Sequence, residues 1–254
     1  MNIKPLQFNF IQSKPQSTAN THLRLNNQLQ CDTVSFTGCE ETSEEKMKKL
    51  VPKHKGIIYK KITDKKGNVT KKIPVEVNII KDSPEVFLFE KDGDIIGNVE
   101  LCYIPKEYCG ENALSPLCRD YKKEGVSGAR IKVEFVENEN EEQYGGIAHL
   151  ADLIEVAVCK KLRIKPNIVS YSFDDAAPLH YLRGKRFIPF EKYNKKLYEI
   201  HGNREPNEVV KEIIEKTPKG EKYDTSDIKD MFITYMPKEM IKELEEELKK
   251  HPIF

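Results

Sequence analysis

The sequence predicts an α/β (or α+β) domain built on a mixed sheet, and three observations carry that reading. Val86-Phe87-Leu88-Phe89 and Ile95-Ile96-Gly97-Asn98-Val99-Glu100-Leu101 flank Asp92-Gly93, the strongest short-range hairpin signal a sequence offers. The apolar spacing then becomes helical at Ile147, Leu150, Ala151, Ile154, Ala157 and Val158, which fall three and four apart on one face. Pro166 ends that helix and Asn167 to Ser172 reads as a strand, so a strand–helix–strand unit lies at the centre of the chain.

The remaining elements follow from local chemistry. Residues 1–45 are rich in Gln, Asn, Ser and Thr without an apolar period, and are read as a flexible polar tail whose end, Glu40 to Lys49, adds a short solvated helical turn. Residues 46–254 are read as one domain with an extra N-terminal hairpin and C-terminal helices. Gly56 to Tyr59 and Ile73 to Val77 flank Asp64-Lys65-Lys66-Gly67-Asn68 as strand, turn, strand. Ala129 to Val136 forms a strand before the central helix. A short helix begins near Asp174, a good N-cap, and stops by Gly184; Phe187 to Phe190 is a brief strand. A helix over Asn207 to Lys216, a strand over Met231 to Tyr235 and a helix over Lys238 to Lys250 complete the order. The Met240, Ile241, Leu244 and Leu248 stripe is read as core, with a homodimer contact as the alternative.

Composition narrows the function classes. Charged residues are 33% of 254, above the usual ~25%, yet 42 basic and 41 acidic side chains leave a formal charge of only +1. A broad nucleic-acid footprint is therefore not expected. Of six cysteines, Cys31, Cys39, Cys102, Cys109, Cys118 and Cys159, no two form a C-x-x-C pair, so no metal is expected. No stretch reaches ~18 apolar residues and MNIKPLQFNFIQSKPQ lacks a signal-peptide apolar run, so a cytoplasmic protein with reduced thiols and no membrane partner is expected.

The segment that carries chemistry is Gln143-Tyr144-Gly145-Gly146-Ile147-Ala148, between a strand and the central helix. Two glycines let backbone approach a ligand closely, and the first helical turn leaves N–H groups for an anion. A plain Gly-Gly turn is the alternative.

Gln143, Gly146 and Ala148 fill the Gln/Arg-x-x-Gly-x-Gly/Ala pattern, and this stretch resembles the acyl-CoA signature of the GCN5-related N-acetyltransferase (GNAT) superfamily. Some thirty residues on, Asp174-Asp175-Ala176-Ala177-Pro178-Leu179-His180-Tyr181 resembles the family's following helix, Asn-x-Ala-Ala-x-x-Phe-Tyr. The resemblance covers roughly residues 84–190. It implies a mixed, twisted central sheet with two splayed parallel strands, Val133 to Val136 and Ile168 to Ser172, and flanking helices. It further implies acetyl-CoA as cosubstrate, its pyrophosphate on the backbone N–H groups of Tyr144 to Ala148, with Val133, Phe135, Val136, Gln143, Gly145, Gly146, Ile147, Asp174 and Ala177 around it.

The activity so implied is transfer of the acetyl group to a primary amine of a small molecule or peptide, by direct attack on the thioester. The alternative is a non-catalytic CoA- or peptide-binding module on the same fold. Tyr181 matches the family's proton donor to the leaving thiolate; counting back from Gly184 places His180 there instead. Glu134, charged within a central strand, is the candidate base, with pairing to Lys132 as the bland alternative. His149 reads as a surface or capping residue. Lys160, Lys161, Arg163 and Lys165 read as a solvated helix end. The loop carrying Glu137, Glu139, Glu141 and Glu142 is more acidic than the family's, which favours a cationic acceptor.

Overall fold

Thr42 opens the first helix, α1 (Ser43–Lys49). Its hydroxyl accepts from the Glu45 N–H at 3.2 Å, and the Glu45 carboxylate accepts from the Thr42 N–H at 2.8 Å. The computed structural model describes residues 42–65, 67–104, 130–164, 169–172, 176–193, 195–218, 221–225 and 232–254. The helical turn expected to be solvated is anchored: Met47 is 2% exposed and belongs to the main core.

Strands β1 (Gly56–Thr63), β2 (Val69–Lys81), β3 (Val86–Lys91) and β4 (Asp94–Ile104) form an antiparallel run. Asp92 and Gly93 both take positive φ, 55° and 97°, as the tight turn requires. β5 (Arg130–Asn138) adds to β4, and the two-residue β6 (Tyr144–Gly145) adds to the far edge at β1. The order is β5-β4-β3-β2-β1-β6. β5 and β6, at opposite ends of the sheet, are joined by a short turn in which Tyr144 N–H donates to Asn140 O at 2.9 Å. Asn138 Nδ2 donates to Tyr144 O at 3.2 Å, so the six strands curl toward closure.

The central helix α2 (Ile147–Leu162) packs within that curl. β7 (Val169–Ser172), α3 (Ala177–Leu182) and β8 (Arg186–Phe187) follow, then α4 (Phe190–Tyr193), α5 (Lys195–Ile200) and α6 (Pro206–Lys216). β9 (Phe232–Tyr235) sits between β7 and β8 in a second, three-stranded sheet, and α7 (Lys238–Lys250) closes the order. Residues 41–254 form one compact unit with two apolar clusters.

The mixed sheet with splayed parallel strands is overturned. Every paired strand among the described residues is antiparallel: β5 pairs with β4 and β7 with β9. β7 comes within 8 Å of β5 at Cα positions without pairing to it. The strand runs were legible, but their partners were inferred from chain order. The tight return after Asn138 sends the chain to β1 instead.

Three smaller expectations also change. α2 is not half-exposed: Asp152, Leu153, Glu155, Val156 and Cys159, off the expected face, are buried too, because β5 and the turn carrying Arg183 and Lys185 cover Asp152 and Glu155, while α7 adds Met240, Leu244 and Leu248 to the same core. The N-cap of α3 is Ala176, with Pro178 in the first turn; Asp174, like Ile168, lies outside the described residues. The brief strand ends at Phe187, and Phe190 starts a helix instead. The polar tail through Glu41, with Cys31 and Cys39, and also Cys109, Cys118, Lys165, Asp175 and Met231, lie outside the described residues. Among the described residues, no helix is long and apolar enough to cross a membrane.

Candidate functional site

Gly146 is the N-cap of α2 and takes φ +92°, a conformation only glycine enters without strain. A Cβ there would lie 3.1 Å from Tyr59 Cδ2, so the Tyr59 ring covers the turn closely. No side chain caps this end and no acidic residue occupies the first turn. Its amides and the positive end of the helix dipole therefore face no built-in anion among the described residues.

The expected donor set shrinks on inspection. Tyr144 N–H is committed to Asn140 O, and Gly145 stands opposite Tyr59 in the β1–β6 pair. The donors left for an anion are those from Gly146 into the first turn, at Ile147 and Ala148. The Gln143 side chain accepts from Asn140 Nδ2 at 3.1 Å, while its carbonyl accepts from Lys61 N–H at 2.8 Å; it braces the turn. Ile147 is buried against the core, and a Cβ at Gly97 would meet it at 3.2 Å.

On β5, Val133 and Val136 are half-buried against the core, Phe135 is 51% exposed and Glu134 is exposed and engaged with another group. Ala177 is fully buried in the second cluster rather than lining the glycine turn. Tyr181 packs on that same cluster, its ring 4.5 Å from the Arg186 guanidinium carbon. His149 bonds Glu247 on α7 at 3.0 Å.

The structure also assembles a cluster that sequence reasoning missed. Asp152 and Glu155 stand three apart on α2, 2% and 0% exposed. Lys185, 3% exposed, lies 3.1 Å from Asp152 Oδ1, and Arg183 Nη2 pairs with Oδ2 of the same carboxylate and with the Ala148 carbonyl. Neither Glu155 oxygen has a hydrogen-bond partner among the described residues. Burial holds its carboxyl well above the ordinary range, and the nearby Lys185 charge offsets this only in part. Burial, reinforced by Lys185 and Arg183, pushes His180 down to about 3, so its imidazole is neutral at physiological pH; its Nδ1 is likewise unpartnered. Burial and the Glu155 carboxyl also raise the Cys159 thiol. The legible signal was two acids at helical spacing inside an otherwise apolar helix.

This arrangement links the bare end of α2 to α3: Arg183 ties the turn after α3 to Ala148, two residues past Gly146. Among the described residues, no group of three or more His, Cys, Asp or Glu side chains is placed to hold a metal ion. No family model, no curated protein and no solved structure matches the chain.

Proposed function

We propose that the chain binds acetyl-CoA and transfers its acetyl group to a primary amine of a small molecule or peptide. The observation that carries this reading is the N-terminus of α2, a 16-residue helix whose first turn holds a glycine cap, no side-chain cap and no acid. The Gln143, Gly146 and Ala148 pattern at that turn supports acyl-CoA in particular. A cytoplasmic location agrees with the buried thiol of Cys159.

In this proposal the neutral amine nitrogen attacks the thioester carbonyl, the C–N bond forms and the C–S bond breaks. The leaving sulfur takes a proton from the Tyr181 hydroxyl, and the amine proton passes to Glu134 or to water it holds. A non-catalytic CoA- or peptide-binding module is the second reading. One observation favours it: the Tyr181 ring is already packed on the second cluster beneath Arg186.

Calorimetric titration with acetyl-CoA of Gly146→Asn and Gly146→Asp tests the cradle. Both add the same Cβ against Tyr59 and the same positive-φ strain, so they differ chiefly in charge. The expected result is acetyl-CoA affinity more than about tenfold weaker in Gly146→Asp than in Gly146→Asn. Absence of binding to the wild-type chain overturns the reading. Binding without thiol release on an amine panel selects the module.

A further inference from the structure

The β1–β2 hairpin runs beyond the core with its outer half uncovered. Val69 to Pro74 are exposed at six successive positions, on both faces of the strand. Ile62, Val69 and Ile73 are 38%, 47% and 37% exposed, and a two-stranded ribbon bare on both faces is marginal in water. Its charge is one-sided: residues 60–72 hold six lysines against one aspartate. Lys61 stands directly opposite Lys72, a repulsive cross-strand pair. Lys60, Lys65, Lys71 and Lys72 have no ion-pair partner among the described residues.

The complementary surface is on the same chain. A groove of about 860 Å³ runs between the root of this hairpin and α7. One wall is apolar, with Tyr59 and Pro74 directly opposite each other across the strands and Ile57 beside them. The other wall is α7, which contributes Glu239, Glu243, Glu246 and Glu247 against Lys242 and Lys250. Glu246 is held by Lys249 and Glu247 by His149. Glu239 and Glu243, four apart on one helix face, repel each other with no ion-pair partner among the described residues. Residues 60–73 do not line the groove, so the arm does not fill the groove at its own root.

We infer that the arm of one copy docks in the α7 groove of a second copy, giving a two-fold dimer with two equivalent contacts. A basic ribbon with two isoleucines on one face matches a cleft with one apolar and one acidic wall. By strand alternation Ile62, Ile73 and Lys71 share one face of the ribbon and Lys72 lies on the other; the isoleucines gain cover while Lys72 on the outer face, with the long Lys71 stem at the rim of the inner one, meets Glu239 and Glu243. A neutral apolar occupant would strip water from those carboxylates without pairing them. The groove borders the glycine turn at Tyr59 and His149, but its acidic wall is on α7, and the dimer does not depend on acetyl-CoA binding.

Sedimentation velocity on the full chain, up to about 100 µM, tests this. The expected result is a dimer at about 50 mM salt that dissociates at least tenfold more readily at about 500 mM. Glu239→Lys with Glu243→Lys reverses the groove, and Lys71→Glu with Lys72→Glu reverses the arm; all four positions are exposed, and circular dichroism verifies folding. Each double variant should be monomeric alone, and the two mixed should dimerise, since each arm then meets an opposite groove. A monomeric wild type at low salt, a salt-insensitive dimer, or double variants that dimerise alone or fail to pair when mixed would each overturn the inference.

Discussion

The Arg183 guanidinium, on the turn that closes α3, donates from Nη2 both to the Ala148 carbonyl and to Asp152, one turn further along α2. With Lys185 on the other oxygen, Asp152 holds two cations at a depth where it is 2% exposed. Asp152→Asn leaves the Lys185 ammonium buried without a counter-charge, and a broken buried pair costs about 3–5 kcal/mol. A urea midpoint should fall accordingly. Adding Lys185→Met should recover part of the loss. A cost below about 1 kcal/mol would mean that water reaches the pair.

His180 faces Lys185, Arg183 and Asp152, and its pKa falls from an ordinary 6.5 to about 3. The unfolded chain therefore binds more protons between these values, and stability falls as pH drops from 6.5 toward 3. The contribution is roughly 5 kcal/mol across that window. Chemical denaturation against pH should show it as an acid-side slope, which His180→Gln flattens. An unchanged slope in that variant would assign acid sensitivity elsewhere.

Glu155 has the opposite sign. Its raised pKa means that the folded chain holds a proton the unfolded chain has released, so stability is present at low pH and lost as pH rises through the folded value. Glu155→Gln keeps the shape and removes the ionisation. It should cost little at about pH 5 and stabilise the chain at about pH 9. Greater stability of the wild type at the alkaline end would place a compensating partner on the carboxylate.

These buried groups also show what the sequence could reveal. The Asp92-Gly93 hairpin was legible because both turn residues need positive φ, a local demand that local sequence states. The last helix, Lys238 to Lys250, was equally plain from its single apolar stripe. Which strand pairs with which is a non-local matter. The antiparallel curl depends on a two-residue strand, Tyr144–Gly145, too short for any period to mark. Likewise, Asp152 and Glu155 look solvent-facing until the turn carrying Arg183 and Lys185 is known to lie against that side of α2. The glycine turn was found by its residues, but the commitment of the Tyr144 amide to Asn140 was not.

Gly97 marks where the sheet and α2 come closest. A Cβ there would lie 2.5 Å from the Glu137 carbonyl oxygen and 3.2 Å from Ile147 Cγ2. Neither neighbour is a free side-chain end, since one is backbone in β5 and the other is a buried core residue. Gly97→Ala should therefore destabilise the chain by about 1–3 kcal/mol, as overpacking does. The expected reading is a lower midpoint with an unchanged denaturant slope. A neutral effect would show β5 free to move outward.

The identity of the proton donor separates two alignments of the same helix. On the proposed reaction the leaving sulfur needs a proton at neutral pH. A neutral His180 is not an imidazolium donor there, because burial, reinforced by Lys185 and Arg183, opposes its protonation. Tyr181 offers a hydroxyl in its place. Tyr181→Phe should then lower kcat by roughly 10²–10⁴-fold with little change in acetyl-CoA affinity. His180→Gln should change kcat only a few-fold while flattening the acid-side stability slope. The two readouts, steady-state thiol release and calorimetric affinity, keep chemistry apart from binding. Full turnover by Tyr181→Phe beside a dead His180→Gln would move the role one residue back and shift the register of the helix against Gly184.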